Sequence, residues 1–195
     1  MRLVTTPRVA VLRAVADGII RRYGRGRMIV AVAGPAGADA AALADDLRDV
    51  LAEHDHAVFR ASEAGFHRSR EAQAAFGQDT PERYVRHGID ESALLRSLVE
   101  PFRLGGSTAF VTRVLDPARD AWVEPRWLTG PEDAILVIDG RFMLRERLAR
   151  LWDYRIAIDG EPADPADVIA YAEQDPRAVA DVVLDLTDPA RPRLG

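Results

Sequence analysis

Few residues in this chain carry types that could do chemistry, and their positions narrow what that chemistry would be. Asp139 ends the apolar run Ala134 to Asp139 (AILVID). An acid at the carboxyl end of a central strand stands where α/β sheets bind ligands. The segment Ser62 to Arg70 (SEAGFHRSR) gathers Glu63, His67 and Arg68, which offer proton transfer and anion contact. Ser62 or Ser69 beside His67 suggests a nucleophile pair, but no strained elbow motif accompanies them. His54-Asp55-His56 has metal-ligand types, yet three neighbours on a turn do not converge on an ion without distant ligands. Gly34-Pro35-Ala36-Gly37 is a glycine-rich turn between an apolar run and an amphipathic helix.

What is absent excludes more. The 195 residues include 26 basic side chains, every one an arginine; lysine, cysteine and asparagine do not occur. Schiff-base and pyridoxal-phosphate chemistry, which need lysine, are excluded. So are thiolate nucleophiles, disulfides, Fe–S clusters and cysteine zinc sites. A phosphate loop of the GxxxxGK[ST] type is excluded with the lysine. A GC-rich genome accounts for the overall bias. The formal net charge of −5 argues against a nucleic-acid backbone as partner. No run of ~18 apolar residues suggests a membrane span, and Met1 to Pro7 lacks the apolar core of a signal peptide. A cytoplasmic protein is expected.

The positioning elements follow from periodicity. Residues 7–23 read as a helix, with Val11, Leu12, Val15, Ile19 and Ile20 at helical spacing and Arg25, Gly26 and Arg27 ending it. Met28 to Ala33 (MIVAVA) is a strand buried on both faces. A helix over Asp39 to Glu53 and a strand over Ala57 to Ala61 complete a β-α-β unit. Thr80 to His87 and Glu91 to Arg103 read as helices. Ala109 to Leu115 and Ala121 to Val123 read as strands paired around Asp116-Pro117. Arg141 to Trp152 reads as a helix, Tyr154 to Ile158 as a strand, Asp164 to Ala172 as a helix and Asp181 to Leu186 as a last strand, with a polar exit beyond. The expectation is one α/β domain over 1–195, a three-layer parallel sheet with flanking helices, with residues 1–26 as a helical appendage.

Taken in order, the strand, the turn GPAGADAA with its helix, SEAGFHRSR, AILVIDGRFMLRERLARLWD and ADVVLDLTDPARPR resemble the uridine kinase-like branch of the P-loop nucleoside kinases. The resemblance covers nearly the whole chain from about residue 8. It implies a phosphate loop over Gly34, Pro35, Ala36, Gly37, Ala38, Asp39, Ala40 and Ala41, with Gly34 and Gly37 at the first two glycine places. Asp39 then stands at the third glycine, Ala40 at the lysine and Ala41 at the magnesium-binding hydroxyl. Alanine supplies neither a cation nor a hydroxyl. Asp39 puts a carboxylate where a helix N-terminus would receive phosphate; like charges ~4 Å apart repel by about 4 kcal/mol at an effective dielectric of ~20. As the first acid of a helix, Asp39 is instead favourable by ~0.3–1 kcal/mol.

The resemblance also implies an acid just before Gly-Phe-His-Arg as general base. That place is Ala64, with Glu63 one residue early and therefore on the opposite face of an extended segment, an exposed loop acid unless the backbone shifts. Asp139 matches the strand acid that orients magnesium. Phe66, His67, Arg68 and Arg113 are the candidate substrate pocket. The lid is shortened to residues 159–180, rich in acids and holding Arg177 as its one arginine. Trp122, Trp127 and Trp152 are expected in the core or a pocket wall.

The reading that results is a uridine kinase-like domain impaired in catalysis, a pseudokinase that binds a nucleoside-like small molecule or a protein partner. An active nucleoside or small-alcohol kinase, with ATP and Mg²⁺ as cofactors and Arg68, Arg70 or Arg113 replacing the lysine, is the alternative. Self-association as a homodimer through the N-terminal helix and the tryptophans is a third.

Overall fold

Six strands form the main sheet of the computed structural model, which describes residues 2–22 and 26–195. Five run parallel: β1 (Met28–Ala33), β2 (Val58–Ser62), β5 (Ile135–Gly140), β6 (Tyr154–Ile158) and β7 (Val182–Asp185). The spatial order is β2-β5-β1-β6-β7-β8, where β8 (Arg193–Leu194) joins antiparallel at the edge. The tail expected as a polar exit therefore returns to pair with Leu184 and Asp185. Strands β3 (Leu115–Asp116) and β4 (Ala121–Trp122) make a separate antiparallel ribbon.

Alternation along β1 explains the layers. Met28, Val30 and Val32 pack with Leu43, Leu47 and Leu51, while Ile29, Ala31 and Ala33 pack with Phe66, Phe102 and Phe110. Every residue of β1 is buried, as a parallel strand covered on both faces must be. Helices α1 (Pro7–Arg22) and α2 (Ala40–Leu51) cover the first face. Leu12, Val15, Ala16 and Ile19 of α1 belong to that core. The N-terminal helix is thus built into the fold, and its apolar face is used inside the molecule. Its expected last residue, Tyr23, and Arg25 lie outside the described residues.

The second face carries shorter pieces: α3 (Arg70–Ala74), α4 (Pro81–His87), α5 (Glu91–Leu94), a π-turn over Leu95–Val99, and α6 (Glu100–Leu104). Two expectations change here. Ala109 to Leu115 is not one strand: Phe110 makes an isolated bridge to Leu128, and only Leu115 at its end pairs in the ribbon. Arg141 to Trp152 is helical only over α7 (Glu146–Ala149). The Phe142 amide donates to the Glu63 carboxylate, and the Trp152 indole donates to the Met143 carbonyl at 2.6 Å. The Met143 carbonyl, which a helix would bond within its own ladder, is taken by the indole, and the stretch folds as turns around α7. Helices α8 (Pro165–Glu173) and α9 (Pro176–Val179) fill the segment before β7.

Among the described residues no helix is long and apolar enough to cross a membrane.

Candidate functional site

The loop after β1 turns at two glycines for two different reasons. A Cβ on Gly34 would lie 2.9 Å from the Ala38 Cβ and 3.0 Å from the Ile158 Cβ. Gly37 has φ +85°, a conformation that costs glycine nothing. Within the loop, Ala38 N donates to Pro35 O (3.0 Å) and Ala40 N to Ala38 O (2.7 Å). Asp39 caps α2, its Oδ1 accepting from Ala42 N at 3.2 Å. That is ordinary chemistry for an acid before a helix. The Ala36 amide points elsewhere, donating to the Asp167 Oδ2 at 2.7 Å.

Asp167 is fully buried and comes from α8, inside the segment expected as a lid. Its other oxygen takes Arg141 Nε at 3.0 Å. Arg141 also holds Asp164 at 2.6 Å and lies over the rings of Phe142 and Tyr84. Burial and the nearby Asp167 push the Tyr171 hydroxyl up to about 12. Burial, with Glu63 adding to it, raises Tyr84. Arg177 is held by Asp175, Asp159 and Glu161. Gly160 packs on Pro35, leaving 2.9 Å for a Cβ against the ring. The lid segment therefore rests on the loop through its acids.

Asp139, next to last in β5, stands directly opposite Ser62 in the parallel register. Ser62 Oγ donates to its Oδ2 at 3.0 Å, and Arg60 Nη2 donates to its Oδ1 at 2.7 Å. Arg60 sits two residues before Ser62 on β2, on the same face. Its remaining donors reach Asp45 Oδ1 (2.8 Å), Val137 O (3.0 Å), Ala61 O (2.6 Å) and Ala41 O (3.4 Å). One guanidinium thus ties the strand acid to the first turn of α2.

Glu63 is placed differently from expectation. The chain leaves β2 at Ser62 and enters a 3₁₀ turn over Glu63–Phe66. Strand alternation stops applying there, so the side chain turns inward. It is 3% exposed, its Oε2 accepts from Phe142 N at 3.0 Å, and His67 Nε2 lies 3.5 Å from its Oε1. It packs directly on Gly140, where a Cβ would come within 2.2 Å of Oε2. Glu63, His67, Tyr84, Asp139 and Arg141 border one cavity of ~280 Å³ with the loop.

The four residues expected as a substrate pocket do not come together. Phe66 is core. His67 borders the loop cavity. Arg68 donates to the His87 and Ile89 carbonyls and lies over the Phe76 ring. Arg113 lines a second cleft of ~500 Å³ between Arg60–Gly65 and the β3–β4 ribbon. Arg70 is exposed, its backbone amide bound to Asp120. Trp152 is buried, but Trp122 and Trp127 are about two-thirds exposed. A third cleft of ~600 Å³ runs from Gly37 and Asp39 to Leu186 and Pro189. His54 faces Asp17, and His56 faces Asp133. No cluster of metal-ligating side chains forms among the described residues. Ser69 caps α3, and Ser62 serves Asp139.

Sequence reading missed Arg60, Arg141 and Asp167. Arg60 had a signal, a charge inside an otherwise apolar strand followed two residues later by a serine. Asp167 is one acid among many, and nothing local marks it.

No family model matches the chain, and no curated protein matches it. Solved structures do. A candidate uridine kinase from Bacillus stearothermophilus superposes with a TM-score of 0.76 at 18% identity, covering 90% of this chain and 96% of that one. A candidate fructose transport system kinase from Silicibacter sp. TM1040 gives 0.65 at 21% identity, covering 86% of each. The D-glycerate 3-kinase of Cryptococcus neoformans var. grubii gives 0.53 at 13% identity, covering 84% of this chain and 76% of that one. At these identities the likeness is one of fold. With its mostly parallel sheet, flanking helices and a glycine turn leading from β1 into α2, the chain has the P-loop kinase fold in its uridine kinase-like form.

Proposed function

We propose that this kinase-like domain is impaired in ATP-driven phosphoryl transfer and works as a ligand-binding or interaction module. One observation carries the reading: the Ala36 amide of the loop donates to a buried carboxylate of its own chain, Asp167, at 2.7 Å. A loop that holds phosphate needs its amides and a cation free for the ligand. Ala40 and Ala41 supply no cation and no metal-binding hydroxyl, Asp39 is engaged as a cap, and Asp139 is bonded to Arg60 and Ser62. These residues do not fit ATP with Mg²⁺. Carboxylates at Asp39, Glu63 and Asp139 around the loop cavity oppose a polyanion further.

An active kinase that uses an arginine cation is the second reading. Arg141 favours it, because it borders the loop cavity; it would have to leave Asp164 and Asp167. Calorimetry with ATP and Mg²⁺, run with a coupled turnover assay over nucleosides, separates the two. The expected result is no magnesium-dependent micromolar binding and no turnover. Micromolar binding with turnover would overturn the proposal.

A further inference from the structure

The charges of this molecule are arranged against the usual direction for its fold. Acids crowd the loop cavity, while arginines line the neighbouring ~500 Å³ cleft. That cleft has two built walls. One is the segment Arg60 to Gly65. The other is a face of the β3–β4 ribbon, fixed where Leu115 pairs with Trp122 and where Val123 N donates to Val114 O at 3.0 Å. Arg113, Leu115, Pro117, Glu124 and Arg126 line the cleft on this side. The walls are joined by the Val114 amide, which donates to Gly65 O at 2.9 Å. Gly65 permits the approach, since a Cβ there would lie 2.8 Å from the Arg113 Cβ.

The half-buried arginines Arg8, Arg13, Arg141, Arg145 and Arg155 hold carboxylates. Arg113 and Arg126 are exposed and do not. Neither makes a hydrogen bond or ion pair with any described residue, although both line the same cleft. Glu124 borders the cleft as well and pairs with neither of them. Arg60 is fully engaged by Asp139, Asp45 and three carbonyls, so it closes the floor and leaves recognition to the other two. Two unpartnered guanidinium forks beside an apolar surface of Leu115, Pro117 and Ala61 suit a ligand with an oxyanion at one end and a compact body at the other. The volume is that of a small-molecule site.

We propose that this cleft binds a small organic oxyanion, a phosphate ester or a carboxylate, anchored by Arg113 and Arg126. The inference rests on the reading of the domain as a ligand-binding module and names its ligand class. The test is calorimetric titration of the full chain with uridine, uridine 5′-monophosphate, succinate and inorganic phosphate, at low and at physiological salt. The variants are Arg113→Gln, Arg126→Gln and, as a charge-matched control on an exposed helix face, Arg96→Gln.

The expected result is that uridine 5′-monophosphate or succinate binds at least ~10-fold tighter than uridine, because charge-assisted bonds to guanidinium are the strong ones. Each cleft variant should weaken that binding by ~10-fold or more, with the control unchanged. Preference for the monophosphate identifies a phosphate ester, and preference for succinate a carboxylate. Uridine binding as tightly as its monophosphate would overturn the proposal. So would equal weakening by Arg96→Gln, or no binding by any of the anions at millimolar concentration. ATP turnover in the same samples would overturn the binding-module reading alone and leave the anion result standing.

Discussion

Asp167 holds more of the site than any residue whose type announced chemistry. It satisfies a loop amide and an arginine at once, from a position with no solvent contact. The carboxylate is buried, while Ala36 is exposed and Arg141 half-buried, so water replaces part of what the two partners lose. Replacing Asp167 by alanine leaves the Ala36 amide without its acceptor and Arg141 with Asp164 alone. The expected loss of stability is ~1–3 kcal/mol, read from urea denaturation. Asp167→Asn keeps an acceptor for Ala36 and should lose less. Equal stability of wild type and Asp167→Ala would remove the contact from the account. At this scale the sequence was partly legible. Asp39 was recognisable as a cap and Asp139 as a strand acid. Glu63 was misplaced by one rule, strand alternation, which stops applying where β2 becomes a 3₁₀ turn.

Elements are joined by a few ion pairs whose charge state matters. Glu53, in the turn after α2, accepts from Arg13 of α1 at 2.8 and 2.9 Å and from the Leu3 amide at 2.6 Å. The Arg13 hydrogen bonds, and then the Leu3 amide, lower its carboxyl from 4.5 to about 2. A depressed acid stabilises the fold above its unfolded value and loses that contribution as pH falls through the folded one. The α1–α2 tie should therefore be intact above pH 4.5 and weaken between 4.5 and 2. Urea midpoints measured across that range should fall less steeply in Glu53→Gln than in wild type; parallel curves would show that the tie carries no pH dependence. Elements with strict periodicity were legible: β1, β5, β6 and α2 stand within a residue or two of their expected places. The stretch after Asp139 was not. Its apolar spacing is helical, but Glu63 and Met143 take its amide and indole into tertiary bonds.

At the scale of the molecule, the N-terminal helix tests what belongs to the fold. Ile19 is fully buried between α1 and the sheet, and Ile20 is half-buried beside it. Ile19→Ala should cost ~2–5 kcal/mol by the transfer and cavity terms, and Ile20→Ala distinctly less. A helix that were a mere appendage would leave both midpoints unchanged in chemical denaturation. The whole-molecule charge pattern has the same tertiary origin. Acids from the strand ends, the cap of α2 and α8 gather around one loop, while Arg113 and Arg126, which flank the ribbon in sequence, line the next cleft.

The amino-acid sequence alone excludes the reaction classes that lysine and cysteine would supply, because an absent side chain cannot be restored by folding. It also determined the β-α-β periodicity and hence the parallel sheet, because apolar strands must be covered on both faces. Only the tertiary structure decided which carboxylate meets the loop and which arginines stay free. Asp167 lies 131 residues from Ala36, and Arg60 lies 79 from Asp139. Contacts at such separations are set by strand order and helix packing, and no local pattern of residues encodes them.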